Sequence, residues 1–138
     1  MKYLFFLLAF SQSCDQYPTG NTKISSLTYS ANTRGSSYQC TIDSMSIKVQ
    51  SNEKSNERQI TSEDWFAIVA KAKTISLTNL ENFKATTDKS STDRARIAMI
   101  KIQANDKIYE STSFDEGNPP NELKELINLM LTMAKTIE

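Results

Sequence analysis

Residues 37–50 read SYQCTIDSMSIKVQ, and apolar and polar side chains alternate along most of this stretch. A period of two residues is typical of a strand with one buried face and one wet face. Asp43 and Ser44 interrupt the alternation and predict a two-residue turn. The stretch therefore predicts a β-hairpin whose inward side chains are Tyr38, Cys40 and Ile42 in one strand and Met45, Ile47 and Val49 in the other.

The sequence on either side of the hairpin differs in character. Residues 24–33 (ISSLTYSANT) are rich in strand-forming side chains and predict a first strand, which Arg34 and Gly35 end. Residues 51–59 (SNEKSNERQ) are polar and show no period, so they predict a long turn or loop.

Beyond this loop, the sequence predicts a helix over residues 62–73. Thr61 suits the N-cap position, with Asp64 three residues later as its capping partner. The apolar side chains then recur at intervals of three and four residues, which gives the helix one buried stripe. That stripe consists of Trp65, Ile68, Val69 and Ala72.

The second half of the chain repeats this arrangement loosely. Residues 74–92 predict a short irregular or single-turn segment that ends in a loop, and residues 97–104 predict a central strand because both parities are apolar at its start. A turn at Asn105 and Asp106 leads to residues 107–114 as the hairpin partner. Pro120 then stands just inside a second helix, whose buried stripe is Leu123, Leu126, Ile127, Met130, Ala134 and Ile137.

These elements predict an α+β fold. An antiparallel sheet of about five strands, in the order ββ(β)α–ββα, carries two helices packed on one face. The 138 residues leave room for one compact domain. We assign residues 1–13 to a signal peptide, residues 14–23 to a tether and residues 24–138 to the domain.

The N-terminal segment predicts export. Lys2 precedes an apolar run, residues 3–10 (YLFFLLAF), and small polar residues follow it before Cys14. Cleavage after Ser11 or Ser13 would give a secreted or soluble periplasmic protein. Lipid attachment to Cys14 would instead anchor the protein in the cell envelope, on the periplasmic or the surface side. We favour the anchor because the polar stretch DQYPTGNTK after Cys14 is typical of a tether, although Ser11 stands where lipoprotein signals commonly carry Leu.

The role expected for Cys40 depends on whether Cys14 carries a lipid. If Cys14 carries a lipid, Cys40 is a small buried hydrophobic side chain at an inward strand position. If Cys14 remains a thiol, a Cys14–Cys40 disulfide is the alternative in an exported protein.

Composition argues against several classes of function. The chain has no histidine, which removes the commonest general base and zinc ligand. Sixteen basic side chains balance sixteen acidic ones, so no positive surplus favours nucleic acid. With three glycines and no metal-ligand spacing, the sequence predicts no phosphate loop, no metal and no cofactor. We therefore expect a protein that is not an enzyme.

Two short stretches are candidate contacts for a ligand or a surface. Arg34, beside a glycine at a strand break, could bind a carboxylate or phosphate. Asp115, Glu116 and Asn118 lie in the turn-rich stretch FDEGNPP and could contact a ligand or cation. The simpler interpretation is that Asp115 and Asn118 cap turns before the second helix.

Taken together, the short lipoprotein-like signal, the Arg34–Gly35 break, the Trp65 helix and the Pro120 helix resemble small Bacteroidota envelope lipoproteins of uncharacterised activity. The resemblance implies an envelope location and no particular chemistry. We expect a membrane anchor through the N-terminal lipid and a protein or surface component as partner. The alternatives are a small-ligand-binding module that uses Arg34 and the 115–118 loop, and a carboxylate-based hydrolase of the envelope.

Overall fold

A computed structural model of the chain describes residues 21–88 and 95–137. The predicted signal peptide, Cys14 and the first part of the tether lie outside the described residues, as do residues 89–92 of the loop that ends the 74–92 segment. Where the described chain begins, Lys23 and Asn105 bond each other: the Lys23 amide donates to Asn105 Oδ1 at 2.9 Å, and the Asn105 amide donates to the Lys23 carbonyl at 3.0 Å.

The predicted α+β class is confirmed, with seven strands instead of about five. The strands, in chain order, are β1 (Ile24–Thr33), β2 (Ser36–Asp43), β3 (Ser46–Ser51), β4 (Lys54–Gln59), β5 (Ile97–Ala104), β6 (Lys107–Glu110) and β7 (Phe114–Asp115). They form one antiparallel sheet in the order β4-β3-β2-β1-β5-β6, and β7 pairs with the start of β5. Two α-helices, α1 (Ser62–Lys73) and α2 (Lys124–Ala134), and two 3-10 helices, Leu77–Asn82 and Asn121–Leu123, complete the described fold.

The first strand lies where its residue content predicts it, and residues 36–51 form the predicted hairpin. Its turn is made by Ser44 and Met45 instead of Asp43 and Ser44, because the Asp43 carboxylate accepts bonds from the Met45 and Ser46 amides, so the prediction that Met45 points inward is wrong: it is 77% exposed.

The loop predicted for residues 51–59 is also wrong. Six of those residues form β4, which pairs with β3 along its whole length. The turn before β4 is made by Asn52, whose φ is 52° and whose amide and side chain both bond Ser37. β4 shows no apolar period because it is an edge strand whose side chains are almost all exposed, so the backbone ladder holds it in place.

The return strand predicted for residues 107–114 is broken in two. The Asn105–Asp106 turn is confirmed, and both residues have the positive φ that a tight hairpin turn requires. After β6, however, Ser111 is buried and bonds Ile100 twice, because its amide donates to the Ile100 carbonyl and its hydroxyl accepts from the Ile100 amide. This side-chain bond replaces a ladder bond, so regular pairing resumes only at β7.

The sheet has one buried face, here called the core face, and one solvent-facing side, the open face. On the core face, four aliphatic side chains from adjacent strands stand in one row and have no solvent exposure. This row, the buried row, consists of Ile102, Leu27, Ile42 and Ile47. The open face is mostly polar, as at Thr28 and Thr41, whose hydroxyls lie 3.4 Å apart.

Both helices pack on the core face. In α1, the Thr61 hydroxyl accepts a bond from the Asp64 amide at 3.1 Å, which confirms the predicted N-cap, and Ile68 and Ala72 are buried. In α2, four residues of the predicted stripe are buried, namely Leu126, Ile127, Met130 and Ala134. Met133, which was not predicted, is buried as well. Pro120 precedes the Asn121–Leu123 turn instead of lying inside a helix.

The strand register gives the sheet two ends. The chain enters β1 at the end where Lys23 bonds Asn105, here called the Lys23 end. The β1–β2 turn lies at the other end, the Arg34 end, together with the β3–β4 turn and the start of β5.

Candidate functional site

A second row of core-face side chains crosses the sheet near the Arg34 end. It begins with two fully buried alanines, and then exposure rises through two half-buried residues to an exposed lysine at β4. We call it the Tyr38 row: Ala98, Ala31, Tyr38, Ser51 and Lys54. Whereas the buried row is covered by apolar side chains, the Tyr38 row becomes progressively accessible towards the edge of the sheet.

The accessible part of the core face forms a concavity of about 460 Å³. Tyr38 and Val49 of the sheet and Leu131 of α2 supply its apolar surface, and Lys54 and Lys135 supply positive charge. Arg96 and Glu116 also line it. We call this concavity the lysine cleft. A volume in this range, with an apolar lining and a few polar groups, is typical of a binding site.

The charges around the lysine cleft do not cancel. Arg96 pairs with Glu116, the two side chains lying 3.4 Å apart. Within residues 21–88 and 95–137, neither Lys54 nor Lys135 forms an ion pair. The described lining therefore holds two positive charges that are not offset, beside an apolar surface.

Tyr29 packs beside the cleft. Its ring meets the Tyr38 ring edge to face, with centroids 6.2 Å apart, and only 1% of the residue is exposed. Burial raises the pKa of Tyr29 from its ordinary value to about 12; Glu116 adds to the increase and Arg96 opposes it. The phenol is therefore neutral at physiological pH.

β4 borders the cleft and is the last strand of the sheet on this side. No described strand pairs with its outer edge. The core-face side chains of Lys54 and Asn56 line the cleft, and Arg58 ties the strand to the helices. The Arg58 guanidinium lies 3.5 Å from Asp64 and donates to the Thr136 hydroxyl at 2.8 Å. Arg58 thus holds this edge in place, and the outer backbone groups of β4 pair with no described strand.

The structure places Arg34 on the other side of the sheet. The residue is exposed in the turn between β1 and β2 and lines a concavity of about 520 Å³ on the open face. Ile97 and Met99 supply the apolar part of this concavity, which we call the Arg34 depression. Arg34 forms no ion pair with a described residue.

Asp115 and Asn118 form hydrogen bonds with each other and with residues 86 and 87. Asp115 is 1% exposed and its carboxylate accepts a bond from the Thr87 hydroxyl. The Asn118 amide donates to the Asp115 carbonyl at 2.9 Å, and the Asn118 carbonyl accepts from the Thr86 hydroxyl. The backbone bond from Asn118 to Asp115 closes a turn, and the two threonine hydroxyls connect this turn to residues 86 and 87.

The candidate residues therefore do not meet in one cavity. None of residues 115–118 lines the Arg34 depression; Asp115 borders a separate hollow that shares only Ser113 with it. Glu116 instead faces the lysine cleft, with Arg96. Across the described residues, no group of three Cys, Asp or Glu side chains could hold a metal ion.

The lysines that mark the cleft carry no signal in the sequence. Lys54 lies in a stretch without periodicity, and Lys135 is one of several basic side chains near helix ends. Each becomes notable only because the fold brings β4 and the end of α2 to the same concavity.

Comparison of the chain with protein-family models, curated proteins and solved structures gives no match. In the part of the chain that the structure describes, no helix has the length and apolar character needed to cross a membrane.

Proposed function

We propose that this protein is anchored in the cell envelope by a lipid on Cys14 and that its domain is a non-enzymatic binding module. The lysine cleft binds an extended, acidic segment of a partner protein. One observation carries this proposal: the cleft combines an apolar surface with Lys54 and Lys135, neither of which pairs with an acidic side chain among the described residues.

Charge complementarity favours an acidic occupant. A carboxylate between Lys54 and Lys135 would offset the positive charge of the lining, and apolar side chains of the same segment would contact Tyr38 and Leu131. The one acidic side chain of the described lining, Glu116, is already paired with Arg96. A basic segment would find no acceptor of this kind.

The edge of the sheet favours an extended occupant. An extended segment can add to an unpaired strand through backbone hydrogen bonds, with alternate side chains directed to one face. β4 offers such an edge over six residues, and its core-face side chains Lys54 and Asn56 line the cleft. A strand added to β4 would direct every second side chain towards the lysines.

The position of the tether fits this arrangement. Nine residues separate Cys14 from Ile24, which limits the span between these two residues to about 35 Å. The chain enters at the Lys23 end, whereas the Tyr38 row and the lysine cleft lie towards the Arg34 end. An anchor at Cys14 would hold the Lys23 end near the membrane and leave the cleft accessible.

The anchor is tested by the intact mass of the protein purified from the membrane fraction. We expect a lipid-modified N-terminal cysteine in the wild type, and an unmodified protein that leaves the membrane fraction in Cys14→Ala. An unmodified wild type, with a mass that corresponds to cleavage after Ser11 or Ser13, would contradict the anchor.

The cleft is tested with two model peptides, acetyl-Glu-Val-Glu-Val-Glu-amide and its counterpart with Lys at each Glu position. Amide chemical shifts of the full chain, carrying Cys14→Ser so that it stays free of lipid, are recorded during the titrations. We expect the acidic peptide to shift signals of Lys54, Asn56 and Leu131 in a saturable way, and the basic peptide to shift none of them.

The matched control is Lys48→Gln, which removes an exposed lysine from the open face of β3. This variant should bind the acidic peptide like the wild type, whereas Lys135→Gln should bind it more weakly. Saturable shifts confined to other surfaces, or no saturable shift up to about 5 mM peptide, would contradict the proposed site.

A further inference from the structure

We infer that the Arg34 depression is a second binding site, for a small organic monocarboxylate with an apolar body. The site lies on the opposite face of the sheet from the lysine cleft and does not depend on the function proposed above. Its elements are an exposed apolar surface, a guanidinium that forms no ion pair with any residue of 21–88 or 95–137, and hydrogen-bonding side chains around them.

The apolar surface is unusual for its position. Ile97 and Met99 are apolar, although they belong to the mostly polar open face. Ile97 is 52% exposed and Met99 is half-buried. Their partners across β1 are polar, Asn32 opposite Ile97 and Ser30 opposite Met99. These two side chains are not part of the core, because the alternate residues of β5 are the ones buried on the core face. A ligand with an apolar body would bury surface here that is now in water.

Among the described residues that line the depression, Arg34 is the one charged side chain. The Arg34 side chain forms no ion pair in the described chain, and the described residues that line the depression include no Asp or Glu. The planar guanidinium can hold a carboxylate through two parallel hydrogen bonds. One guanidinium, with no acidic side chain among the described lining residues, favours a ligand with one negative charge.

The volume of the depression and its other polar side chains indicate the size and the further polar groups of the ligand. A volume of about 520 Å³ suits a small molecule. Ser30, Asn32 and Ser113 line the depression and can donate or accept hydrogen bonds. The site therefore fits a short apolar chain or ring with a carboxylate at one end and room for a hydroxyl substituent.

The test uses hexanoate and hexanamide, two probes that share an apolar chain and differ in the negative charge. Both are titrated into the full chain carrying Cys14→Ser, and amide chemical shifts are recorded. We expect hexanoate to shift the signals of Arg34, Ile97 and Met99 in a saturable way. Hexanamide should bind at least about tenfold more weakly.

Two variants and their matched controls locate the site. Arg34→Gln should weaken hexanoate binding about tenfold and abolish the preference over hexanamide. Ile97→Thr should weaken the binding of both probes. The control Ile108→Thr alters an isoleucine of similar exposure, 58%, on the same face, and Lys48→Gln removes a lysine from that face; both should bind like the wild type.

Three results would overturn the inference. They are equal affinity for the two probes, unchanged affinity in Arg34→Gln, and no saturable shift up to about 10 mM hexanoate. All four substituted side chains are exposed, and a native amide spectrum confirms that each variant is folded before it is compared.

Discussion

The buried row and the Tyr38 row lie on the same face of the same strands, yet they have different roles. β1, β2, β3 and β5 each contribute one residue to the buried row and, four positions away, one to the Tyr38 row, which Lys54 extends onto β4. In the first row all four side chains are aliphatic and inaccessible to solvent. In the second, the residues change from alanine to tyrosine, serine and lysine as the row approaches β4.

This difference shows how one sheet face can serve both stability and binding. Strand parity determines which face a side chain joins, but position along the strand determines whether α1 and α2 cover it. The covered half of the face holds the fold together through apolar burial. The accessible half supplies Tyr38 and Lys54 to the proposed site, and the end of α2 supplies Lys135.

The largest effect should come from a cavity in the buried row. Ile42→Ala should lower the free energy of unfolding by about 2–5 kcal/mol, because the lost methyl groups leave a void among side chains with no solvent exposure. Ser51→Ala, in the same sheet but in the Tyr38 row, should change it by less than about 0.5 kcal/mol. Urea denaturation measures both. Equal effects would mean that the two rows do not differ as described.

The next effect should appear at alkaline pH, through Tyr29, which stands between the two rows on β1. Its folded-state pKa of about 12 lies above the ordinary value near 10, so the folded protein holds the phenol proton more tightly than the unfolded chain does. This stabilisation is complete below pH 10 and is lost as the pH rises to 12, a decrease of about 3 kcal/mol.

The control for this prediction is Tyr29→Phe, which has no proton to lose at that position. Its free energy of unfolding should fall less steeply than that of the wild type between pH 10 and pH 12. Parallel curves for the two proteins would show that Tyr29 does not contribute.

A smaller effect is expected where α1 begins to cover the face. Thr61→Ala removes the hydroxyl that caps the Asp64 amide and should lower the free energy of unfolding by about 1 kcal/mol. Thr61→Ser keeps the hydroxyl and should restore most of that loss. If the alanine and serine variants are equally destabilised, the cap hydrogen bond is not the cause.

The fold was predictable to the extent that side chains alternate between water and core. β2 and β3 have one face buried, and their alternation therefore marks them in the sequence, whereas β1 is marked by its strand-forming side chains and β5 by apolar residues of both parities at its start. β4 was not predictable in this way because neither of its faces is buried. The break after β6 depends on a hydrogen bond between Ser111 and Ile100, which no local pattern encodes.

The candidate sites were less predictable than the fold. Arg34 was identifiable because it stands beside a glycine at a strand end, and the structure places it in a turn next to a depression. The lysine cleft depends on side chains from β2, β3, β4 and α2 that are distant in sequence. Only the register of the sheet and the direction of α2 bring Lys54 and Lys135 together.

The most direct test of the proposed binding module is the double variant Lys54→Gln/Lys135→Gln, compared with the wild type for both stability and binding of the acidic pentapeptide. Both lysines are exposed and form no ion pair with described residues, so the free energy of unfolding should change by less than about 0.5 kcal/mol. Peptide affinity should fall at least about tenfold. An affinity equal to that of the wild type, in a variant that is equally stable, would contradict the proposed function of the lysine cleft.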